Sequence, residues 1–361
     1  MGTRGGHLPA DRFRRPTIKD VAQLADVSST TVSVVLNHQR EGIRVPESTR
    51  ERVHRAAAEL GYTPNVLARN LRTRASSTIG FLSDEVTTTP FAVSMLAAAQ
   101  DEAARRGYLL LVVNVGVNAV AEKQRDALDL LHQQQVSGIV YACMFHRHVE
   151  PPAGLPDKTV FLNAQAIGGG FPSIVPDDYQ GAHDLVTELL DHGHRRIGFI
   201  NDEEHPVAAD QRFNGYRDAL SERGIKADPA LYIEAGPFVR GGLEIARLLE
   251  LPPRERPTAV FCFNDRVAMG AYRVARYRGL HIPTDLSIVG FDDQEFIASE
   301  LDPGLTTMRL PHPEMGKLAI ELLLDQADPG LADATNGSSV HRILCELIRR
   351  ESVAPPPLTE P

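Results

Sequence analysis

The 361-residue sequence has few of the residues that build covalent or metal-bound frameworks. It contains three cysteines and no tryptophan, and aromatic residues make up only 6% of it. Cys143, Cys262 and Cys345 are odd in number, widely spaced and set in apolar, strand-like surroundings. We therefore expect neither a disulfide framework nor a zinc site, and we predict that all three are small core residues. No metal or other cofactor is predicted.

Long apolar runs are also missing. No segment approaches the roughly eighteen apolar residues of a membrane-spanning helix, and no apolar core follows Arg14-Arg15 as it does in a secretory signal. We therefore expect a cytoplasmic protein with no membrane partner. The hydrophobic fraction of 42% is ample for a buried core, and the length predicts two or three structural units.

Enzyme motifs are scarce. The glycines at 168–170 lie in a loop rich in proline and glycine, so they do not form a phosphate-binding loop between a strand and a helix. No serine, cysteine or threonine lies in a recognisable nucleophile motif. His192 and His194 lack a third ligand nearby, and interaction with the end of a helix explains them more simply than a metal does. We predict that the protein is not an enzyme.

The charge of the chain is divided unevenly along its length. Residues 1–75 contain 13 Lys/Arg and 7 Asp/Glu, a formal charge of +6, whereas the remainder carries −15 and the whole chain −9. A basic segment on an acidic body is expected when only that segment meets phosphates, because released counterions favour local positive charge. The alternative is a solvated surface with a chance excess of arginine.

Two short helices joined by a tight turn are predicted within residues 17–37. Thr17 and Asp20 have the spacing of a capping box, and Ser28 can cap the second helix. Apolar residues recur at helical spacing in both segments, so each helix can bury one face. The outer face of the second helix carries small side chains that can approach base edges in a major groove: Ser29, Thr30, Ser33 and Val34. A capped helical hairpin without a ligand is the alternative.

A third helix and a linker follow. The helix is predicted over residues 46–60, with Pro46 in place of a capping hydroxyl, and it ends at Gly61. Residues 65–74 are too short to form a stable isolated helix and suit a linker that orders only against a partner. Leu71 beside Arg72 can wedge into a base step of the minor groove. From the sequence alone, docking of Leu71 on the adjacent domain is the favoured alternative.

From residue 77 onward predicted strands and helices alternate, which indicates parallel sheets with right-handed crossovers. Roughly 280 residues exceed one comfortable core, so two α/β lobes are expected. The predicted strands are 78–82, 108–114, 138–144, 160–162, 196–200, 259–263 and 287–291. The predicted helices are 91–107, 122–136, 179–192, 212–223, 242–249 and 265–278.

Polar side chains follow several of these strands, where open parallel sheets bind ligands. Arg212 is predicted to start a helix after the 201–211 loop, and the other candidates are Phe91, Asn163, Asn264 and Asp292. A cation, a carboxylate, amides and an aromatic ring together suit a small polar ligand such as a sugar or a nucleobase. Each residue alone is more often a helix cap or a solvent contact, and Asp265 fits a cap best.

Several ordered segments resemble the lactose/galactose/purine repressor family. The likeness spans about residues 16–353 and rests on segments 17–37, 49–53, 60–65, 67–71, 193–198, 212–216, 264–270, 289–293 and 305–307. It implies an all-α helix-turn-helix head and an α/β core of two parallel-sheet lobes, similar to periplasmic binding proteins of type I.

The resemblance also implies boundaries. It places a disordered tail at 1–15, the head at 16–63, a hinge helix with its linker at 64–76, the core at 77–353 and a disordered tail at 354–361. Within the core, an N-terminal lobe is expected from 77–176 and 305–330, and a C-terminal lobe from 177–304 and 335–353.

By the same resemblance, the protein is an effector-responsive repressor, expected to control a carbohydrate-utilisation operon. It would bind a near-palindromic operator in double-stranded DNA as a homodimer, with a sugar as the effector. The alternatives are a regulator that responds to purines or another metabolite, and a cytosolic sugar-binding protein or sugar-processing enzyme.

The resemblance assigns roles to residues in both parts. Ser29 and Thr30 would read bases, Thr17 and Asn37 would hold phosphates, and Leu71 would open the central base step. The remaining candidates for DNA binding are Ser28, Ser33, Val34, Asn65 and Arg72. In the core, Arg212, Asn264 and Asp292 match effector-binding positions, and Phe91 and Asn163 are expected in the pocket wall.

Three features depart from the family pattern. Val34 stands where many relatives have a polar base reader, so at most it contacts a thymine methyl. The loop 38–44 is longer than usual and basic. The tail 352–361 has no leucine heptads, so a tetramer-forming coiled coil is not expected.

Overall fold

The computed structural model describes residues 16–37, 45–62, 76–84, 93–116, 121–325 and 339–357. The chain divides into two compact units, residues 1–76 and 77–361. The expected tail 1–15, the loop 38–44 and all of the expected hinge except Ser76 lie outside the described residues.

The first unit contains three helices: α1 (Ile18–Leu24), α2 (Ser29–Asn37) and α3 (Glu47–Leu60). Val21, Val32 and Val53 are fully buried, one from each helix, and they form a single apolar cluster with their neighbours. Asp26, with a φ of 51°, makes the tight turn between α1 and α2. The predicted helical hairpin and third helix are confirmed, because apolar residues at helical spacing on all three helices meet in one core.

The second unit contains two sheets. The strands of the first are β1 (Thr78–Ser83), β2 (Leu109–Asn114), β3 (Ile139–Val149), β4 (Thr159–Ala166), β5 (Ser173–Pro176) and β11 (Val340–Ile343). They lie in the order β11-β5-β4-β3-β1-β2, and every neighbouring pair is parallel. The helices of this lobe are α4 (Val93–Arg105), α5 (Ala121–Gln133) and α11 (His312–Asp325).

The second sheet forms the other lobe. Its strands are β6 (Ile197–Asp202), β7 (Tyr232–Ala235), β8 (Ala259–Cys262), β9 (Ser287–Asp292), β10 (Thr306–Arg309) and β12 (Glu346–Ile348), in the order β12-β10-β9-β8-β6-β7. All pairs are parallel except β10 with β12. The helices here are α6 (Asp178–Asp191), α7 (Val207–Glu222), α8 (Val239–Gly242), α9 (Ile245–Leu249) and α10 (Asp265–Tyr277), with a 3-10 turn at Pro229–Leu231.

Close packing of α6 against α7 fixes one wall of the second lobe. Gly215 on α7 approaches α6 so closely that a Cβ atom there would lie 2.3 Å from the carbonyl oxygen of Tyr179. Only glycine permits this approach without displacing backbone. Beneath these helices Phe199 and Phe261 stack with ring centroids 4.4 Å apart. The two helices are thereby held in a fixed orientation on the sheet.

The strand order corrects the expected lobe boundaries. Residues 306–309 were expected in the N-terminal lobe, but they form β10 beside β9 in the second sheet. Residues 340–343 were expected in the C-terminal lobe, but they form β11 beside β5 in the first. Both segments are short. The chain crosses between the lobes as many times as predicted, but the second and third crossings lie further along the sequence.

Residues 354–357 contradict the expectation of a disordered tail at 354–361, because they are ordered in the structure. The backbone N–H of Ala354 donates to Ser287, and the Ala354 carbonyl oxygen lies 2.9 Å from His194 Nε2. His192 bonds to the carbonyl oxygen of Glu188 in the last turn of α6, as expected. His194 instead fixes the C-terminal segment against the second lobe.

The cysteine prediction is confirmed for two residues. Cys143 and Cys262 are free and buried, and burial raises the pKa of the Cys143 thiol to about 12. Cys345 is free but only half-buried, packed at the edge of the second lobe's core.

Candidate functional site

The first candidate site is the outer surface of α2. Thr30 is exposed, and Ser29, Ser33 and Val34 are half-buried, whereas Val32 and Val35 face the core. The small side chains therefore lie together on the face away from the core, as the spacing predicted. This face is short and lacks bulky groups, so another macromolecule can approach the backbone of α2 closely.

The caps of α1 and α2 use the polar groups of Thr17 and Ser28. The Thr17 hydroxyl donates to Asp20 Oδ2 at 2.7 Å and accepts from the Asp20 N–H at 3.4 Å. Ser28 Oγ accepts from the backbone N–H of Thr31 at 3.1 Å. Both predicted caps are confirmed. A phosphate at Thr17 must compete with Asp20 for the hydroxyl proton.

Four predicted site residues lie outside the described residues: Asn65, Leu71 and Arg72 of the hinge, and Phe91 of the pocket. Asn37 is the last residue of α2. The roles of these five residues stay predictions.

The second candidate site lies between the two lobes of the core. A cavity of about 30 Å³ lies between residues of the two lobes. It is lined by Met144, Phe145, His146, Asn163, Pro176, Pro206, Ala208, Arg212, Phe263, Asn264, Asp292 and Leu310. Four of the five predicted effector residues are in this list, so the structure brings them together at the carboxyl ends of the strands.

Arg212 is the centre of this site. It lies in the second turn of α7 and not at the start of a helix as predicted, because α7 begins at Val207. Its Nε and Nη2 donate to Asp178 Oδ1 at 2.9 and 2.8 Å, and its Nη1 donates to the carbonyl oxygen of Phe263 at 2.6 Å. The guanidinium carbon lies 3.7 Å from the ring centroid of Phe291. These contacts fix the guanidinium plane before any ligand binds.

Asp292 ends β9 beside that guanidinium. Its Oδ1 lies 3.6 Å from Arg212 Nη2, and its Oδ2 accepts from the side-chain amide of Gln294. Its φ of 108° is rare for a residue with a side chain, and such strain is typical of functional sites. Burial raises the pKa of Asp292, and the nearby Arg212 charge partly opposes this effect. A carboxyl oxygen close to fixed N–H donors suits hydroxyl groups that both donate and accept.

Asp265 is not the helix cap that the sequence suggested. Asn264 caps α10, with its Oδ1 accepting from the Val267 N–H and its Nδ2 donating to the Pro237 carbonyl oxygen. The fully buried Asp265 instead accepts from the Thr307 hydroxyl and the Gln294 N–H, both at 2.6 Å. Burial and the nearby Asp292 raise the pKa of Asp265 well above its usual range. Asp265 therefore braces the turn that presents Asp292.

Sequence reasoning missed the groups that hold Arg212 in place. Asp178 is 1% exposed and His146 is 6% exposed, and neither was a candidate. β5 is short and ends in proline, so the strand that precedes Asp178 was not predicted. The predicted end of β3 at Met144 excluded His146, although the strand continues to Val149.

Known proteins match both parts of the chain. A model of the LacI family of bacterial regulatory proteins matches residues 17–65, and a model of periplasmic-binding-protein-like domains matches residues 186–353. The ribose operon repressor of Haemophilus influenzae is 37% identical over 313 residues, which are 86% of this chain and 91% of that protein. The chain belongs to the LacI family.

Solved structures of LacI-family members share the fold. The lac repressor dimer bound to operator and the anti-inducer ONPF has a TM-score of 0.76 at 26% identity, covering 94% of this chain and 100% of that one. A LacI-family regulator from Enterococcus faecium with bound ribose has a TM-score of 0.60 at 25% identity, covering 77% and 99%.

Membership in the LacI family confirms the predicted class of function. The protein is a DNA-binding transcriptional regulator with a two-lobed effector-binding core, and it is not an enzyme. Among the helices of the described part of the chain, none is both long and apolar enough to cross a membrane.

Proposed function

We propose that this LacI-family protein is a cytoplasmic repressor of a carbohydrate-utilisation operon, and that a neutral sugar in the interlobe cavity sets its operator affinity. The observation that carries the proposal is the buried pair of Arg212 and Asp292, 3.6 Å apart at the cavity wall. Neighbouring hydroxyls of one sugar can accept from the guanidinium and donate to the carboxylate. The similarity to a ribose operon repressor and to a LacI-family structure with bound ribose supports the same chemistry.

The charge around Arg212 favours a neutral ligand over an anion. Asp178 pairs directly with the guanidinium, and Asp292 lies close to it. The positive charge is therefore already balanced, and a phosphorylated ligand would bring an excess of negative charge into a buried site. A nucleobase is also less suited. The Arg212 guanidinium already covers the rings of Phe263 and Phe291, so these rings are not open for a base to stack on.

The small cavity links binding to motion of the lobes. A volume of about 30 Å³ holds one or two water molecules, far less than a sugar ring. A sugar must therefore enter when the lobes are further apart, and its contacts with both lobes then bias their relative angle. A ligand with different affinities for two lobe arrangements shifts the equilibrium between them.

On the DNA side, the face of α2 that points away from the head's core would contact the bases. Ser29 and Thr30 lie in its first turn and would meet base edges, while Ser33 and Val34 extend the surface. The two heads of a homodimer would each bind one half of a near-palindromic operator. The hinge residues Asn65, Leu71 and Arg72, and the phosphate contacts of Thr17, Ser28 and Asn37, complete the proposed interface.

Operator binding with and without a sugar tests this function. An operator selected from random duplex DNA by the purified protein is labelled, and its affinity is followed by fluorescence anisotropy with ribose, glucose or hypoxanthine. We expect one sugar to change the operator Kd by at least about tenfold, within the usual range of allosteric coupling. Arg212→Lys retains a positive charge beside Asp178, so it should bind the operator normally, and it should lose the response because an ammonium group cannot reproduce the fixed fork of N–H donors. A response to hypoxanthine alone would contradict the sugar proposal.

A further inference from the structure

A chain of polar side chains, buried at His146 and Asp178, crosses from one lobe to the other beside the cavity. Gln165 on β4 and His146 on β3 belong to the first lobe, and Asp178 on α6 belongs to the second. His146 Nε2 lies 3.0 Å from Gln165 Nε2, and His146 Nδ1 lies 2.9 Å from Asp178 Oδ2. Asp178 Oδ1 then holds the guanidinium of Arg212.

The two oxygens of Asp178 serve different lobes. Oδ1 accepts both N–H groups from Arg212 of its own lobe, and Oδ2 faces the imidazole from the other lobe. Burial tends to raise the pKa of Asp178, but Arg212 and His146 outweigh it and hold the pKa below its ordinary value. The carboxylate is therefore charged, and an unpaired Oδ2 would be costly at 1% exposure.

We infer that His146 is a positioning residue that ties the Arg212–Asp178 pair to the opposite lobe, so that the effector-binding guanidinium is fully braced only when the lobes are closed. When the lobes separate, the His146–Asp178 bond must break and Oδ2 must find another donor. Closure restores the bond, and with it the second partner of the carboxylate that orients Arg212. This inference rests on the proposed function for its effect on sugar affinity.

The geometry defines two contrasting substitutions. In His146→Asn, the side-chain amide nitrogen lies near the position of Nδ1 and can still donate to Asp178. In His146→Ala, the donor is removed and Asp178 Oδ2 is left without its partner from the other lobe. His148→Ala removes an exposed histidine from the same strand and is the matched control.

The first measurement needs no ligand. Spin labels at Glu150→Cys on the first lobe and Glu203→Cys on the second, both exposed, report the interlobe distance in the full-length Cys345→Ser protein. We expect His146→Ala to move the distance distribution towards longer values, and His146→Asn and His148→Ala to retain the parent distribution. An unchanged distribution in His146→Ala would overturn the inference.

The second measurement uses ribose as the probe, by calorimetry. We expect His146→Ala to raise the Kd of ribose about tenfold and His146→Asn to stay within about threefold of the wild type. A double-mutant cycle with Asp178→Asn should be strongly non-additive, whereas additive effects would show that the two residues act separately. If the wild-type protein binds no ribose but His146→Ala still lengthens the interlobe distance, ribose is not the effector, and the role of the His146–Asp178 bond is confirmed. Equal weakening by His146→Asn and His146→Ala would contradict a role for the donor.

Discussion

The head and the interlobe cavity satisfy their polar groups in opposite ways. In the head, Thr17 bonds to Asp20 and Ser28 to Thr31, partners three residues apart in the sequence. At the cavity, Arg212 bonds to Asp178 and Phe263, which are 34 and 51 residues away. The caps of the head thus join residues that are close in the sequence, whereas the polar contacts of the cavity join residues that only the fold brings together. Substitutions should therefore act locally in the head and across both lobes in the core.

The largest effect is expected from Asp178→Ala. This change leaves the Arg212 guanidinium, 4% exposed, without its charged partner. Breaking a buried ion pair by removing one side costs about 3–5 kcal/mol. We expect the core's free energy of unfolding in urea to fall by that amount, while the thermal unfolding of the head is unchanged.

Asp184→Ala on the exposed side of the same helix is the control for that change. It should alter the unfolding free energy by less than about 0.5 kcal/mol. If Asp184→Ala lowers the unfolding free energy as much as Asp178→Ala does, α6 is sensitive to any substitution. The ion pair then contributes no more than other contacts of this helix.

Val32 and Val34 test the two faces of α2. Val32 is fully buried in the head's core, whereas Val34 is half-buried on the other face. Val32→Ala should destabilise the head by about 2 kcal/mol, because it leaves a cavity. Val34→Ala should leave stability within about 0.5 kcal/mol and weaken binding of the selected operator, as measured by anisotropy. Equal stability loss in both variants would contradict the assignment of faces.

Because of His194, we expect the free energy of unfolding of the core, but not that of the head, to depend on pH. Burial lowers the pKa of this histidine from 6.5 to about 4. The unfolded state therefore binds the proton more readily, so the stability contributed by neutral His194 is complete above pH 6.5 and falls as the pH drops towards 4. We expect a loss on the order of 2 kcal/mol over this window in urea denaturation.

His194→Gln should remove this part of the pH profile, and substitution of the exposed head residue His54 by Gln should not change it. A wild-type profile that stays flat between pH 6.5 and 4, or one that His54→Gln flattens, would show that the C-terminal segment is not secured by a neutral histidine.

The smallest effect is expected from Thr17→Ala. Loss of the capping box at α1 should cost the head about 1 kcal/mol. Differential scanning calorimetry should show the head's transition at lower temperature and the core's transition unchanged. Serine at this position retains the hydroxyl, so Thr17→Ser should recover most of the loss.

The sequence predicted the caps, the three head helices and the alternation of strands and helices in the core. These features depend on residues a few positions apart, where spacing carries the information. It also identified Asn163, Asn264 and Asp292, because polar residues after buried strands converge at one edge of a parallel sheet, and Arg212, which reaches the same cavity from the second turn of α7.

The sequence did not predict β5, β7 or β10–β12, which are three or four residues long, nor the bridge from His146 to Asp178. Strands this short have no measurable period, and of the four-residue strands only the fully apolar β8 was predicted, because a continuous apolar run replaces the period as a signal. The role of Asp265 was likewise hidden, since Thr307 lies 42 residues away. Long-range contacts of this kind become visible only in the folded chain.

The central claim is that a sugar between the lobes controls the head. The most direct test is the operator Kd of the full-length protein, measured by anisotropy without sugar and with saturating ribose or glucose, in the wild type and in Arg212→Lys. The account predicts that one of these sugars changes the wild-type Kd at least about tenfold and leaves that of Arg212→Lys unchanged, with the same ligand-free Kd in both. An operator Kd that both sugars leave unchanged in the wild type, or change equally in Arg212→Lys, would contradict it.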